Sequence, residues 1–336
     1  VVPVQAAPPR PARRRVFSEE VPFELLASAR VLRLLAERDL GLCFAVRPDT
    51  LQLASAVVQA CREGGVSVGV WPMLRDEDGR FAHVRNLLLF HDFTARLLDA
   101  LGDAGTLPDD VLVDLEPSID PLRSLVLHGA GALRHLPLAE VPSGPSFAEG
   151  SRRLQELARF VSGLGVSVSF AVVPLLLWGE RGPTWERLLG TPLPEGSADR
   201  VEGMLYTSMI EGWSAGALSR RDAEALLVRG AEATRRRFGE RAGVALGAVG
   251  PGALRSEPTY RGPDELARDV ALALGAGVTS LSLFDLGGVL AREPAEAWLD
   301  AFATTAPRIS AAPGLRARAA LGAMDMVATV LGRVVG

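Results

Sequence analysis

The chain has 336 residues, 48% hydrophobic and 23% charged, with 40 acidic and 36 basic side chains and a formal net charge of −4. That apolar share excludes global disorder, and the slight acidic excess argues against a general nucleic-acid binder. Every basic residue is arginine, which excludes Schiff-base lysine chemistry, pyridoxal-phosphate catalysis and a lysine-dependent P-loop.

Residues 1–15, VVPVQAAPPRPARRR, are rich in proline and arginine and are expected to form a flexible tail. If VVPVQAA is the remnant of a signal peptide, the protein is exported to a periplasmic or extracellular space. Strand-like runs then alternate with helical patterns. A weak strand at Val16–Glu20 precedes a helix near 22–38, and LGLCFAV (40–46) precedes a helix at 51–63. VSVGVWP (66–72) precedes a helix at 85–101, and VLVDLE (111–116) is followed by a helix at 147–163. VSVSFAVV (166–173) comes next, then EGMLYTSM (202–209) with a helix at 219–238. GVALGAV (243–249) with a helix at 263–275 and TSLSLFD (279–285) complete the series. Glycines close several helices, as in CREGG, SGLG and ALGAG, where a left-handed C-cap is expected.

Eight β/α units in about 300 residues predict a single-domain α/β protein, a (β/α)8 TIM barrel over 16–310. The alternative is an open doubly wound sheet, but no GxGxxG follows the early strands. Residues 311–336 are expected to form an amphipathic helix docked on the barrel. Asp325 and two early arginines interrupt its apolar face, and no stretch reaches the ~18 apolar residues of a membrane span. No feature specifies an oligomeric state.

Strand side chains alternate between two faces. In 166–173, Val166, Val168, Phe170 and Val172 oppose Ser167, Ser169 and Ala171; the strands at 40–46, 243–249 and 279–285 show the same split. The aliphatic phase suits the helix layer, and the small or polar phase suits the barrel interior. That rule turns Leu112, Asp114 and Glu116 inward, with Glu202, Met204, Tyr206 and Ser208 on a later strand and Trp71 on an earlier one. Arg47, Trp71, Asp114, Glu116, Tyr206, Ser208 and Phe284 then gather at the C-terminal mouth, where barrels of this kind carry their sites.

Asp114 and Glu116 stand two residues apart on one strand face, roughly 6.6 Å between Cα atoms at ~3.3 Å per residue. Neighbouring carboxylates repel, so one tends to keep a proton at neutral pH and can act as a general acid, the group that glycoside hydrolysis needs. A structural alternative is a salt bridge from Arg47 to this pair. Strand seven, GVALGAVGPG, ends without a carboxylate, which disfavours a plan with a nucleophilic glutamate there.

The fourth-strand segment Asp114-Leu115-Glu116 resembles the end of the DxxDxDxE motif of family 18 glycoside hydrolases, the chitinases and endo-N-acetylglucosaminidases. Met204-Leu205-Tyr206, on the sixth strand, is similar to that family's Met-x-Tyr. The resemblance implies a barrel hydrolase in which Glu116 is the proton donor, Asp114 orients the 2-acetamido group of an N-acetylated sugar, and Tyr206 helps hold the acetamido oxygen. It would use the substrate's own acetamido group in place of a protein nucleophile. The sequence departs from the family at Asp110 (glycine expected), at Leu112 (aspartate expected) and at Phe284-Asp285 (tryptophan expected). GLCFAVRP, DEDGRFAHVRN and VLVDLEP are also similar to segments of bacterial barrel proteins, a likeness that carries no chemistry.

The expected function is therefore acid/base cleavage of glycosidic bonds. The alternatives are a catalytically inactive carbohydrate-binding barrel, or a lyase or isomerase for an anionic substrate anchored by Arg47. Candidate substrate-binding residues are Arg47, Trp71, Trp178, Asn86, Ser208, Glu211 and Asp285, with Trp213 as a further stacking surface after a strand end. Glu211 and Asp285 are the second carboxylates available to an inverting mechanism. Trp185 and Trp298 fall on helical patterns and are expected in the core. The four histidines lack metal-ligand spacing, the acidic run Asp76–Asp78 reads as a solvated turn, and Cys43 and Cys61 read as buried thiols. No metal, cofactor or nucleic-acid partner is expected; the expected ligand is a carbohydrate.

Overall fold

The computed structural model describes residues 13–117, 141–177, 182–194, 196–252, 256–306 and 314–335. Eight parallel strands close into a barrel in sequence order. They are β1 (Arg14–Ser18), β2 (Gly41–Val46), β3 (Val68–Pro72), β4 (Asp110–Leu115), β5 (Ser167–Val172), β6 (Arg200–Met204), β7 (Ala242–Gly247) and β8 (Ser280–Phe284). β8 pairs back onto β1 through Arg15↔Ser282. The fold is the expected (β/α)8 barrel, and the open doubly wound sheet is excluded.

The helices are α1 (Phe23–Leu26), α2 (Ala29–Ala36), α3 (Ala54–Glu63), α4 (Leu87–Asp103), α5 (Gly144–Gly163), α6 (Gly182–Leu189), α7 (Thr207–Trp213), α8 (Arg220–Phe238), α9 (Pro263–Gly275), α10 (Leu286–Ala291), α11 (Ala295–Ala303) and α12 (Leu315–Val335). Their starts are chemically marked. Ser219 caps α8 with a reciprocal box: its hydroxyl accepts from the Asp222 amide while Asp222 accepts from the Ser219 amide. After α3 and α9 the chain turns through Gly65 (φ 71°) and Gly277 (φ 84°), the left-handed exits expected of those glycines.

Three boundaries differ from expectation. β1 begins at Arg14, so the last residues assigned to the tail are strand. Arg15 is buried, and Arg14 Nη2 donates to the Thr304 carbonyl at 2.7 Å. The helix near 22–38 is two pieces, because Ser28 adopts extended backbone and caps a new start, accepting from the Val31 amide. β6 stops at Met204 rather than continuing to 209. The chain turns at Tyr206 into α7, whose Thr207 hydroxyl is tied to the buried Asp269 of α9.

The C-terminal helix α12 packs on α6 and α8, burying Ala317 and Ala328. Among the described residues no helix is long and apolar enough to cross a membrane. Cys43 and Cys61 are free and buried, and Trp185 and Trp298 are core residues. Arg235 pairs with Glu240 at the surface, and Arg237 pairs with Glu186.

The strand phases are as the alternation predicts. The barrel interior holds a layer of paired charges. Arg15 of β1 donates to Asp110 of β4, to Glu202 of β6 at 3.1 Å and to the Ser282 hydroxyl of β8 at 3.2 Å. Arg200 pairs with Glu202, and the Ser169 hydroxyl donates to Asp110 at 2.9 Å. Two arginines against two carboxylates leave the layer neutral. Burial pulls the Arg200 guanidinium down to about 10, and burial pushes Asp110 up against the pull of Arg15. Gly243 leaves the room these side chains need: a Cβ there would stand 2.8 Å from Glu202 Cγ and 3.0 Å from Arg200 Nε. This layer closes the floor beneath the mouth.

Candidate active site

Above the charged floor, β4 delivers Asp114 and Glu116 to the C-terminal mouth on one face. The Asp114 side chain is buried, and its Oδ1 has no hydrogen-bond partner among the described residues. Its backbone carbonyl accepts from the Ala82 amide at 2.9 Å, which fastens the β3–α4 loop to β4. Glu116, just past the strand end, is partly exposed. Burial, then the charge of Glu19, pushes the Glu116 carboxyl up to about 8, with Arg80 pulling the other way. Burial and the neighbouring charges of Glu116, Glu19 and Glu202 hold Asp114 well above the usual carboxylate range. Two neighbouring carboxylates, one buried and one half-buried, cannot both ionise cheaply, so the pair retains a proton at neutral pH.

Tyr206 enters from the end of β6. Its ring stacks on Phe284 of β8 at 5.6 Å and 18°. Burial, then Asp114 and Glu116, raises its hydroxyl well above 10, so it remains a donor. Trp71, at the end of β3, is buried between Phe17 (5.7 Å) and Phe81 (6.5 Å, near-parallel). Its indole Nε1 has no partner among the described residues. Near the mouth lie an unpaired buried acceptor on Asp114, an unpaired buried donor on Trp71 and the proton-holding carboxyl of Glu116.

The arginine whose charge opposes the rise of the Glu116 carboxyl is Arg80, which the sequence did not single out. Arg47 reaches Glu20 at 2.9 Å and Glu19 at 3.8 Å, so the salt bridge considered between Arg47 and Asp114 or Glu116 is not formed. Arg80 Nη1 donates to Glu19 Oε1 at 2.7 Å, with both side chains buried. Arg80 Nε donates to Asp76 at 2.8 Å, so the acidic run at 76–78, expected as a solvated turn, holds an arginine. Arg80 has φ 54°, a left-handed conformation costing about 1–3 kcal/mol for a residue with a Cβ.

Asn86 holds that loop and does not face the mouth. Its Oδ1 accepts from the His83 amide at 2.9 Å, and its Nδ2 donates to the Asp78 and Phe81 carbonyls at 3.0 and 2.8 Å. Its side-chain polar atoms are spent within 78–86. Gly79 is at φ 93°, and a Cβ there would meet Asn86 Nδ2 at 2.9 Å.

The remaining candidates are placed as follows. Ser208 lies on α7, not on β6, and its hydroxyl accepts from the Ala248 amide at 2.7 Å. Glu211, also on α7, pairs with Arg261 at 2.8 Å. Asp285 caps α10, accepting from the Gly288 amide at 3.0 Å, and burial raises its carboxyl. Trp213 is partly buried against the core. Trp178 lies outside the described residues. Two carboxylates were missed. Glu19 follows β1, with burial raising it to about 7, and Glu257 on the β7–α9 loop adds to the charge felt by Glu116. Strand seven ends without a carboxylate, as expected, and Glu257 stands further on in the loop that follows. Glu19 lay inside the expected weak strand Val16–Glu20, and β1 ends one residue before it, at Ser18.

No family model and no curated protein sequence matches the chain. Among solved structures it is similar to the glycoside hydrolase domain of PgaB from Bordetella bronchiseptica, with TM-score 0.52, 16% identity, and coverage of 88% of this chain and 100% of that one. It is also similar to a chitinase from Rhizomucor miehei, with TM-score 0.52, 13% identity, and coverage of 87% and 99%. An endo-1,4-beta-D-mannanase from Thermotoga petrophila matches with TM-score 0.53, 10% identity, and coverage of 80% and 87%. At these identities the likeness is one of fold: the chain has a glycoside hydrolase-like barrel and distantly resembles chitinase-type barrels.

Proposed function

We propose that the protein cleaves glycosidic bonds of N-acetylated sugars, with Glu116 as the acid and Asp114 and Tyr206 holding the reacting acetamido group. The observation that carries this reading is the buried, unpartnered Asp114 Oδ1 beside a carboxyl, Glu116, that keeps its proton near neutrality. Leaving a buried polar atom unpaired costs about 1–3 kcal/mol, a cost that a substrate N–H aimed at Asp114 removes. Glu116 then gives its proton to the glycosidic oxygen as the C1–O bond breaks. The acetamido oxygen, steadied by the Tyr206 hydroxyl, bonds to C1. Water next attacks C1, Glu116 takes a proton from it, and the acetamido group is restored. Trp71 lines the wall with its Nε1 ready for a sugar oxygen.

A lyase or isomerase for an anionic substrate is the weaker reading. Such a site needs a cation to spare, and Arg47 and Arg80 are both committed to carboxylates. A binding barrel without turnover is favoured by one observation. Leu112 is fully buried where the related motif carries an aspartate, so the acid pair lacks that third group. Turnover of N-acetylated oligosaccharides by the wild type and by Glu116→Gln separates these readings. Loss in the variant supports the acid, binding without turnover in the wild type supports the second reading, and equal turnover in both removes Glu116 from the chemistry.

A further inference from the structure

We propose that Asp269, in the helix layer, is the positioning residue for Tyr206, acting through a closed ring of hydrogen bonds that fixes the turn from β6 into α7. The meaning of this ring for catalysis rests on the reading of Tyr206 as the holder of the acetamido oxygen, whereas its hold on the Tyr206 side chain does not.

Every link of the ring is a hydrogen bond or a peptide bond. The Thr207 hydroxyl donates to Asp269 Oδ2, and the Tyr260 hydroxyl donates to the same oxygen at 2.8 Å. The Tyr260 amide donates to the Ala248 carbonyl at 2.9 Å. The Ala248 amide donates to the Ser208 hydroxyl at 2.7 Å. Ser208 follows Thr207 in the chain, which completes the circuit. Arg220 of α8 donates to the other Asp269 oxygen, Oδ1, at 2.6 Å, and its guanidinium stands 5.4 Å from the centre of the Tyr260 ring. Asp269, Thr207 and Tyr260 are all buried.

Tyr206 sits where this ring meets the mouth. It is the N-cap of α7, the residue directly before Thr207, so the bond from Thr207 to Asp269 sets where its backbone stands. Its aromatic ring is bounded by β7 and β8. It stacks on Phe284 at 5.6 Å, and a Cβ on Gly247, the residue before Ala248, would stand 3.1 Å from Tyr206 Cδ1 and 3.0 Å from the Phe284 carbonyl oxygen. The hydrogen-bonded ring therefore holds Ser208 against Ala248, and with them Tyr206 against Gly247. Packing alone asks for no carboxylate at position 269. A buried ion pair can be exchanged for apolar side chains of similar volume without loss of stability; what charged and hydrogen-bonded partners add is one fixed geometry. The geometry fixed here is the first turn of α7 and the side chain that enters the mouth from it.

The test is NMR of the full chain, free of substrate and 13C-labelled in its tyrosine rings. The chain has two tyrosines, Tyr206 and Tyr260, so Tyr206→Phe assigns both signals. Thr207→Val keeps the side-chain shape and removes the hydroxyl; Thr207→Ser keeps the hydroxyl. Thr207→Val and Asp269→Asn are expected to shift the Tyr206 ring signals out of the ring-current field of Phe284, and Thr207→Ser to leave them near the wild-type position. Tyr206 signals that stay in place in Thr207→Val overturn the proposal, as does a shift in Thr207→Ser as large as in Thr207→Val. A general loosening also overturns it, seen as movement of the buried Trp185 indole, on α6 and outside the ring, along with Tyr206. If Asp269→Asn does not fold, the two Thr207 variants decide. Because no substrate is present, the result stands even if the site cleaves no glycoside. Where turnover is measured, Thr207→Val is expected to lower kcat/KM about tenfold in the wild-type background and to change it little in Tyr206→Phe. Equal losses in the two backgrounds would show that the ring does not act through Tyr206.

Discussion

Glu116 and Asp114 carry a stability cost that their proposed roles explain. The Glu116 carboxyl titrates at about 8 in the fold, against 4.5 in an open chain. Between those values the folded chain holds a proton that the unfolded chain has released. Stability therefore falls as pH rises through that window and levels off above it. Glu116→Gln removes the penalty. We expect it to be more stable than the wild type at pH 8 by up to about 4 kcal/mol and indistinguishable near pH 4, read from thermal melts at both pH values. A variant less stable at pH 8 would show that the Glu116 carboxylate is a structural partner. Asp114, Glu116, Tyr206 and Trp71 were legible in the sequence because a strand side chain's face follows from period two and one phase of each strand is aliphatic. Arg80 and Glu257 were not, because loops deliver them and loop residues have no period. Asn86 stood out as the only asparagine, but the hydrogen bonds that spend it exist only once the loop is closed.

At the level of elements, the strands do two jobs at different heights. Their C-terminal ends carry the mouth, and their N-terminal halves carry the neutral charge layer of Arg15, Asp110, Glu202 and Arg200. Arg15→Met leaves Asp110 and Glu202 one cation short in the interior. We expect a loss of about 3–5 kcal/mol in urea denaturation, whereas a solvated tail arginine would give almost none. Strand order and helix positions were legible from alternation and glycine caps. The start of β1 was not, because Arg15 sits in a basic, proline-rich run and reads as tail until its partners on three other strands are known. The end of β6 was missed for a related reason: Thr207 is compatible with strand, and its tie to Asp269 on α9 turns it into the first residue of a helix. In the β3–α4 loop, Asn86→Ala removes three hydrogen bonds. It is expected to destabilise by about 1–3 kcal/mol in urea denaturation, whereas an unchanged midpoint would show that the loop closes without them.

On the scale of the whole molecule, the barrel concentrates carboxylates at one mouth while the chain as a whole is only slightly acidic. Arg47 and Arg80 are both paired there, so neutral or N-acetylated sugars should be preferred over uronic-acid substrates, in kcat/KM and in binding. A preference for acidic sugars would revive the anionic-substrate reading. Fold and mouth together lead to one decisive measurement: turnover of a panel of aryl glycosides and N-acetylated oligosaccharides by the wild type and by Glu116→Gln, with folding checked in both. The account predicts turnover of an N-acetylated substrate that drops by ~10²-fold or more in the variant. Equal turnover in the two proteins would contradict it.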